Sequence, residues 1–299
     1  MPLKYQKLLK KQNLVTLEDL VLHEKDLDHS NSNCYVPIDR LRKLLSLKNI
    51  REILAYRVKV KNNIKYTNAK NPICMGSLNS AFVWSHIIEQ SKSKFNKIVE
   101  LGPGKSIVID MALSFLNFQG IFTKIDNTKW EKPDDSSLKK AFKGEFITAD
   151  VVKNPDAIPA SDIIIMNHFL DDLFMDLWAK KRKVDYFGPS FHSAEKGNEY
   201  WKCAIKENGV YIKLILSFVK KLATKVNLGG YIIIRNFPSA FETVSRQVER
   251  INFTAKLNTI VVEAFLNTGF TLETTILSDL VGFKALKYPD SFFVLKKQG

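Results

Sequence analysis

Two stretches, Asp162-Ile-Ile-Ile-Met-Asn167 and Tyr231-Ile-Ile-Ile-Arg-Asn236, are apolar without alternation. A strand with one face in water alternates polar and apolar residues, so runs like these suit strands covered on both faces, as in a parallel sheet flanked by helices. The surrounding pattern agrees. From residue 96 onward the chain reads as strand NKIVEL, a helix from Ser106, strand GIFTKID, strand GEFITAD, strand DIIIMNH, a helix from Asp171, a long helix GVYIKLILSFVKKLATKV and strand YIIIRNF. FTLETTIL and SFFVLKK close the chain, with a turn around Tyr288-Pro289-Asp290 between them. A turn cannot supply the crossover that parallel neighbours need, so this last pair is expected to run antiparallel.

Residues 1–75 differ. LVTLEDLVLHEKDL and PIDRLRKLLSLKNIREILAYRV carry helical spacing, with Pro37 and Asp39 as a start signal. They are expected to form a small helical N-terminal region that caps a domain spanning 76–299. A chain of 299 residues with 45% hydrophobic content can bury a core of that size. No apolar run approaches the roughly 20 residues that cross a bilayer, and the first residues, MPLKYQKLLKKQNL, lack the apolar core of a secretory signal. A cytoplasmic protein without a membrane partner is expected. Cys34, Cys74 and Cys203 stand far apart with no CxxC pair, which argues against a zinc site and a disulfide framework. No metal is expected.

Charge is uneven. Residues 1–97 hold 18 Lys+Arg against 8 Asp+Glu, a net +10, which leaves +4 of the total +14 for the remainder. Such a surplus draws anionic partners, RNA among them, and also keeps proteins soluble. The tetrad Lys180-Lys181-Arg182-Lys183 has the same two readings, and near a helix C-terminus basic residues are favoured by the dipole alone.

The first strand runs into KIVELGPGKS, whose GKS is the tail of a P-loop. A P-loop needs glycine at position 99, which is Val99. A nicotinamide-binding turn needs a small residue where Ile107 stands. What remains is Glu100, Gly102 and Gly104, an acid and two glycines at a strand end, where the backbone turns sharply and a ligand can approach. A carboxylate here repels phosphate and suits a cationic or hydrogen-bond-donating ligand. Asp126 closes the second strand 22 residues after Gly104, and Asp150 closes the third.

With these residues the sequence resembles the class I S-adenosylmethionine-dependent methyltransferases over roughly 76–299. The resemblance implies an α/β, Rossmann-like, doubly wound and mostly parallel seven-stranded sheet whose last strand is antiparallel. It implies S-adenosylmethionine as cofactor, with Glu100, Gly102 and Gly104 at its methionine and sugar, Asp126 at the ribose hydroxyls, Asp150 at the adenine amino group, and Asn167 beside the transferable methyl. Asn167 is not followed by the Pro-Pro-aromatic of amino-directed DNA methyltransferases.

A general base is needed only if the acceptor must lose a proton, and the candidates are His168 and Asp171. Both also have structural readings, as a strand-end histidine and a helix-start acid. Tyr186, Phe187, His192 and Trp201 lie in the aromatic insertion VDYFGPSFHSAEKGNEYWK, expected to form a lid over the acceptor. The expected activity is methyl transfer to a small molecule. The alternatives are an RNA methyltransferase docked through the basic N-terminal region, and a methyltransferase-like protein that binds without catalysis. A homodimer is left open.

Overall fold

The computed structural model describes residues 35–36, 73–74, 80–81, 84–85, 87–89, 91, 95–104, 106–128, 141–185, 194–236, 248–273 and 292–299. Two short strands, β1 (Tyr35–Val36) and β2 (Ile73–Cys74), pair antiparallel. They are what is described of residues 1–75. Both lie outside the two segments whose spacing predicts helices, and those segments lie outside the described residues.

The main body alternates β3 (Lys97–Leu101), α1 (Val108–Phe115), β4 (Ile121–Asp126), β5 (Lys143–Thr148), β6 (Ser161–Asn167), α2 (Phe169–Arg182), α3 (Ala194–Lys206), α4 (Asn208–Thr224), β7 (Val226–Arg235), α5 (Val248–Leu266), β8 (Phe270–Leu272) and β9 (Phe292–Lys297). Seven strands form one sheet in the order β5-β4-β3-β6-β7-β9-β8. The pairs from β5 to β7 are parallel, and β9 inserts antiparallel between β7 and β8. This is the Rossmann-like, mostly parallel seven-stranded sheet expected from the sequence, with its antiparallel last strand.

Continuous apolar strands are explained by two cores. Val99, Leu101, Ile164, Met166, Ile232 and Ile234 face one cluster with residues of α2, α4 and α5. Ile98, Phe122, Ile163, Ile165, Tyr231 and Ile233 face the other, with α1 and the helical residues Ala81, Trp84, Ile87 and Ile88. Consecutive residues point to opposite faces, and here both faces are dry. The edge strand β5 is the contrast: it is largely exposed and carries a Lys143–Glu145 ion pair of 2.8 Å, which discourages pairing with another chain.

Three boundaries differ from expectation. Helix α2 starts at Phe169, two residues before Asp171. Helix α3 occupies the second half of the supposed aromatic lid, because Trp201 and Ala204 are buried on one side of it. Helix α5 has no counterpart among the elements expected from sequence. Its Thr259-Ile-Val-Val262 stretch has strand character, yet Leu257, Val261 and Phe265 recur at helical spacing and are fully buried. No described helix is long and apolar enough to cross a membrane.

If both faces are dry, neighbours that point oppositely must both matter. Ile164→Ala and Ile165→Ala should each destabilise by about 2–5 kcal/mol in denaturant unfolding, whereas Lys143→Ala should change stability by less than about 0.5 kcal/mol. A near-neutral result at either isoleucine contradicts the two-core arrangement.

Candidate active site at the strand ends

From β3 the chain steps to β4 and β5 on one side, then returns to β6 and β7 on the other. At such a switch the connections leave in opposite directions and open a crevice beyond the carboxyl ends of the strands. A cleft lies there, lined by Gly102 and Gly104 after β3, Asp126, Asn127 and Thr128 at the end of β4, Asp150, Val151 and Val152 after β5, and Phe169, Asp172, Leu173 and Asp176 of α2.

The bend after β3 requires its glycines. Gly102 has φ +61° and Gly104 φ +54°, a region costly for residues with a Cβ. A Cβ on Gly102 would also meet the Phe169 ring at 2.8 Å. Two bonds hold the bend to the next strand: Gly102 N–H donates to the Ile125 carbonyl at 2.8 Å, and Gly104 N–H donates to Asp126 Oδ2 at 3.0 Å. Asp126 Oδ1 accepts from Thr128 N–H at 3.0 Å. Among the described residues each oxygen of this carboxylate thus keeps a lone pair.

Asp150 sits across the cleft. Its Oδ1 accepts from the N–H groups of Val152 (3.2 Å) and Lys153 (3.3 Å), and its Oδ2 takes Lys180 Nζ at 3.2 Å. Burial acts to raise this carboxyl, but Lys180 and the Lys153 amide outweigh it and hold it below the usual range.

Glu100 lies on β3 with its side chain on the Ile98 face, 1% exposed. It is not among the residues lining the cleft. Its cross-strand neighbour Lys124 commits its ammonium to Asp110 of α1 and to the Ser106 carbonyl at 3.2 Å. Neither Glu100 oxygen has a hydrogen-bond donor among the described residues. Burial pushes its carboxyl up to about 8, with Lys124 opposing and Asp110 and Asp126 reinforcing the rise. On the same face, Asn167 ends β6 with Oδ1 buried and also without a donor among the described residues. Arg235 stands opposite Asn167 in register, buried, its guanidinium pushed down by burial to about 9 and still cationic at neutral pH.

His168 turns the chain from β6 into α2 with φ +55°, a left-handed conformation that histidine adopts more readily than most residues. Its N–H donates to the Arg235 carbonyl at 2.8 Å. Asp171 is directed away from the cleft lining, 4% exposed, with Oδ2 at 3.7 Å from Arg250 of α5. Burial raises its carboxyl and the Arg250 guanidinium opposes the rise. Arg250 in turn lies 4.6 Å from the Trp201 ring centre, and Trp201 stacks on Phe174 at 5.8 Å. Asp171, Arg250 and Trp201 thus knit α2, α5 and α3 together, and Trp201 does not line the cleft. Tyr186, Phe187 and His192 lie outside the described residues.

Asn127, Thr128, Phe169 and Asp176 line the cleft without having been candidates from sequence, and Lys180, met there only as part of the basic tetrad, pairs with two of the cleft's acids. The spacing of Asp172, Asp176 and Lys180, four residues apart on one helix, was the available signal. Internal partners account for much of the basic tetrad. Lys180 pairs with Asp176 at 2.6 Å, Arg182 with Glu207, and Lys181 lies 5.7 Å from the Tyr211 ring centre.

No family model matches the chain, and no curated protein sequence matches it either. Among solved structures it is similar to the plantazolicin methyltransferase BpumL in complex with SAH, at 12% identity over 94% of this chain and 99% of that one, with a TM-score of 0.41. It is also similar to the N-methyltransferase NodS from Bradyrhizobium japonicum WM9, at 9% identity over 74% and 96%, TM-score 0.38. Human N-acetylserotonin methyltransferase in complex with SAM is similar at 12% identity over 75% of this chain and 55% of that one, TM-score 0.36.

A buried carboxyl with a raised pKa has a measurable signature. Below its ordinary value of 4.5 the Glu100 proton is held in both folded and unfolded chains, and between 4.5 and about 8 only the folded chain holds it. Glu100 therefore contributes a loss of stability as pH rises through that window, at about 1.4 kcal/mol per unit of pKa difference. In denaturant unfolding from pH 5 to 8, Glu100→Gln should flatten this fall. Identical pH dependence in both proteins contradicts the buried, donor-free geometry.

Proposed function

We propose that the chain is an S-adenosylmethionine-dependent methyltransferase acting on a small-molecule acceptor. The observation that carries this is the pairing of the Gly102–Gly104 bend with the Asp126 carboxylate at the edge of the switch-point cleft. Two hydroxyls on adjacent ribose carbons match the two free lone pairs of Asp126. The bend lets a nucleoside approach where a Cβ would collide.

The charge of the site fits the same cofactor. Asp126, Asp150, Asp172 and Asp176 line the cleft, a set that repels phosphorylated dinucleotides and favours a ligand carrying cations and N–H donors. Glu100 and Asn167 offer buried acceptor atoms that have no donor among the described residues. An ammonium or sulfonium brought beside Glu100 draws its proton off, because a nearby cation favours the ionised form. S-adenosylmethionine supplies a methyl on a sulfonium, already a good leaving group, so the protein's task is to position the acceptor and exclude water. Where the acceptor must lose a proton, His168 at the mouth of α2 is the candidate base; Asp171, paired to Arg250, holds that helix.

Apart from β1 and β2, the basic N-terminal region through which RNA would dock lies outside the described residues; among the cations that are described, the basic tetrad favours a small acceptor because much of it is occupied internally, by Asp150, Asp176, Glu207 and Tyr211. Phosphate recognition needs cations with capacity to spare.

Isothermal titration should show S-adenosylmethionine and S-adenosylhomocysteine binding to the purified chain, with affinity lowered at least about tenfold by Asp126→Ala, the loss of roughly one charge-assisted hydrogen bond. Unchanged affinity in Asp126→Ala removes the ribose assignment, and no binding by the unaltered chain removes the activity.

A further inference from the structure

The acids of the cleft are not equivalent, and one cation organises two of them. Lys180 Nζ lies 2.6 Å from Asp176 Oδ2 and 3.2 Å from Asp150 Oδ2. Asp176 Oδ2 also lies 3.5 Å from Asn127 Nδ2, a weak contact. A polar chain thus runs along the cleft, from Asn127 after β4, through Asp176 and Lys180 on α2, to Asp150 after β5. Burial lowers the Lys180 ammonium's affinity for its proton, but the two carboxylates outweigh burial and keep it cationic.

The consequence appears in the lone pairs of Asp150. A carboxylate offers about four acceptor positions. Oδ1 spends two on the Val152 and Lys153 amides, and Oδ2 spends one on Lys180. One position is left on a carboxylate that can no longer rotate. Without Lys180, Oδ2 has two open hydrogen-bond positions and keeps only the more exposed Lys153 ammonium at 3.6 Å, beyond hydrogen-bond distance, and among the described residues no cation then bridges Asp150 to Asp176.

We propose that Lys180 is a specificity-determining positioning residue: by holding Asp150 Oδ2 it leaves a single acceptor, which selects a purine with an exocyclic amino group over one with an exocyclic oxygen. The inference rests on the cleft holding an adenosyl cofactor with its base at Asp150. An amino group donates to the remaining lone pair. A 6-oxo group presents its own lone pairs to a fixed anion, and a site built for a donor rejects a ligand lacking it far more strongly than a flexible one does.

The test is equilibrium binding of S-adenosylhomocysteine and S-inosylhomocysteine to the unaltered chain, Lys180→Met and Lys180→Arg. The unaltered chain should prefer the adenosyl ligand by at least about tenfold. Lys180→Met should cut that preference severalfold, and Lys180→Arg, which keeps the cation, should restore most of it. Melting temperature serves as the control, since the partly exposed pairs of Lys180 contribute little to stability. If Lys180→Met weakens both ligands equally, or leaves the preference intact, the assignment is overturned. Absence of adenosyl binding to the unaltered chain overturns the cofactor reading itself, a result distinct from an unchanged preference in the variant.

Discussion

A sheet buried on both faces has only its strand ends to offer to water. In this chain Ile163 to Met166 and Ile232 to Ile234 are fully buried, one face against α2, α4 and α5 and the other against α1 and the helix around Trp84. Polar chemistry is excluded from the strand interiors by the cost of burying it, so it collects where β3, β4, β5 and β6 stop. The site's location follows from the same burial that stabilises the fold.

At those ends, backbone groups do much of the fixing. The bend after β3 is tied to β4 through the Ile125 carbonyl and the Asp126 carboxylate, and Asp150 is held by two amides of its own turn. Side chains held by backbone N–H groups lose little further freedom on meeting a ligand, which is the advantage of preorganisation. Glu100 is the exception. It is buried with no donor among the described residues, next to a lysine committed elsewhere, and it carries a desolvation cost that a cationic or donating ligand brought beside it would relieve. Sites that violate ordinary satisfaction rules in this way mark function more often than chance does.

Much of the sheet was legible because period and length speak directly to burial. Unbroken apolar runs identified β6 and β7, and the turn signal in the sequence at Tyr288-Pro289-Asp290, itself outside the described residues, pointed to the antiparallel end. Helix α5 was illegible because its β-branched centre favours strand locally, and burial of the face carrying Phe253, Leu257, Val261 and Phe265, with Phe253 against Phe174 and Trp201, outweighs that preference. The glycine bend and Asp126 were legible as spacing. Their hydrogen bond was not, since it depends on the parallel register of β3 and β4. Trp201 illustrates the converse: its place in an aromatic-rich segment suggested a lid, and Arg250 and Phe253, far along the chain, draw it into the interior. Asp171 follows the same logic, since whether a helix-start acid faces a cleft or a buried arginine is decided by a distant helix.

The central claim is that one adenosyl ligand spans the carboxylates at the ends of β4 and β5 beside the Gly102–Gly104 bend. A crystal structure of the protein soaked with S-adenosylhomocysteine tests it most directly. The account predicts both ribose hydroxyls on the Asp126 carboxylate, the base against Val151 with its amino group at Asp150, and the amino acid end directed toward Glu100. A ligand bound elsewhere, or one in the cleft that leaves Asp126 untouched, contradicts it.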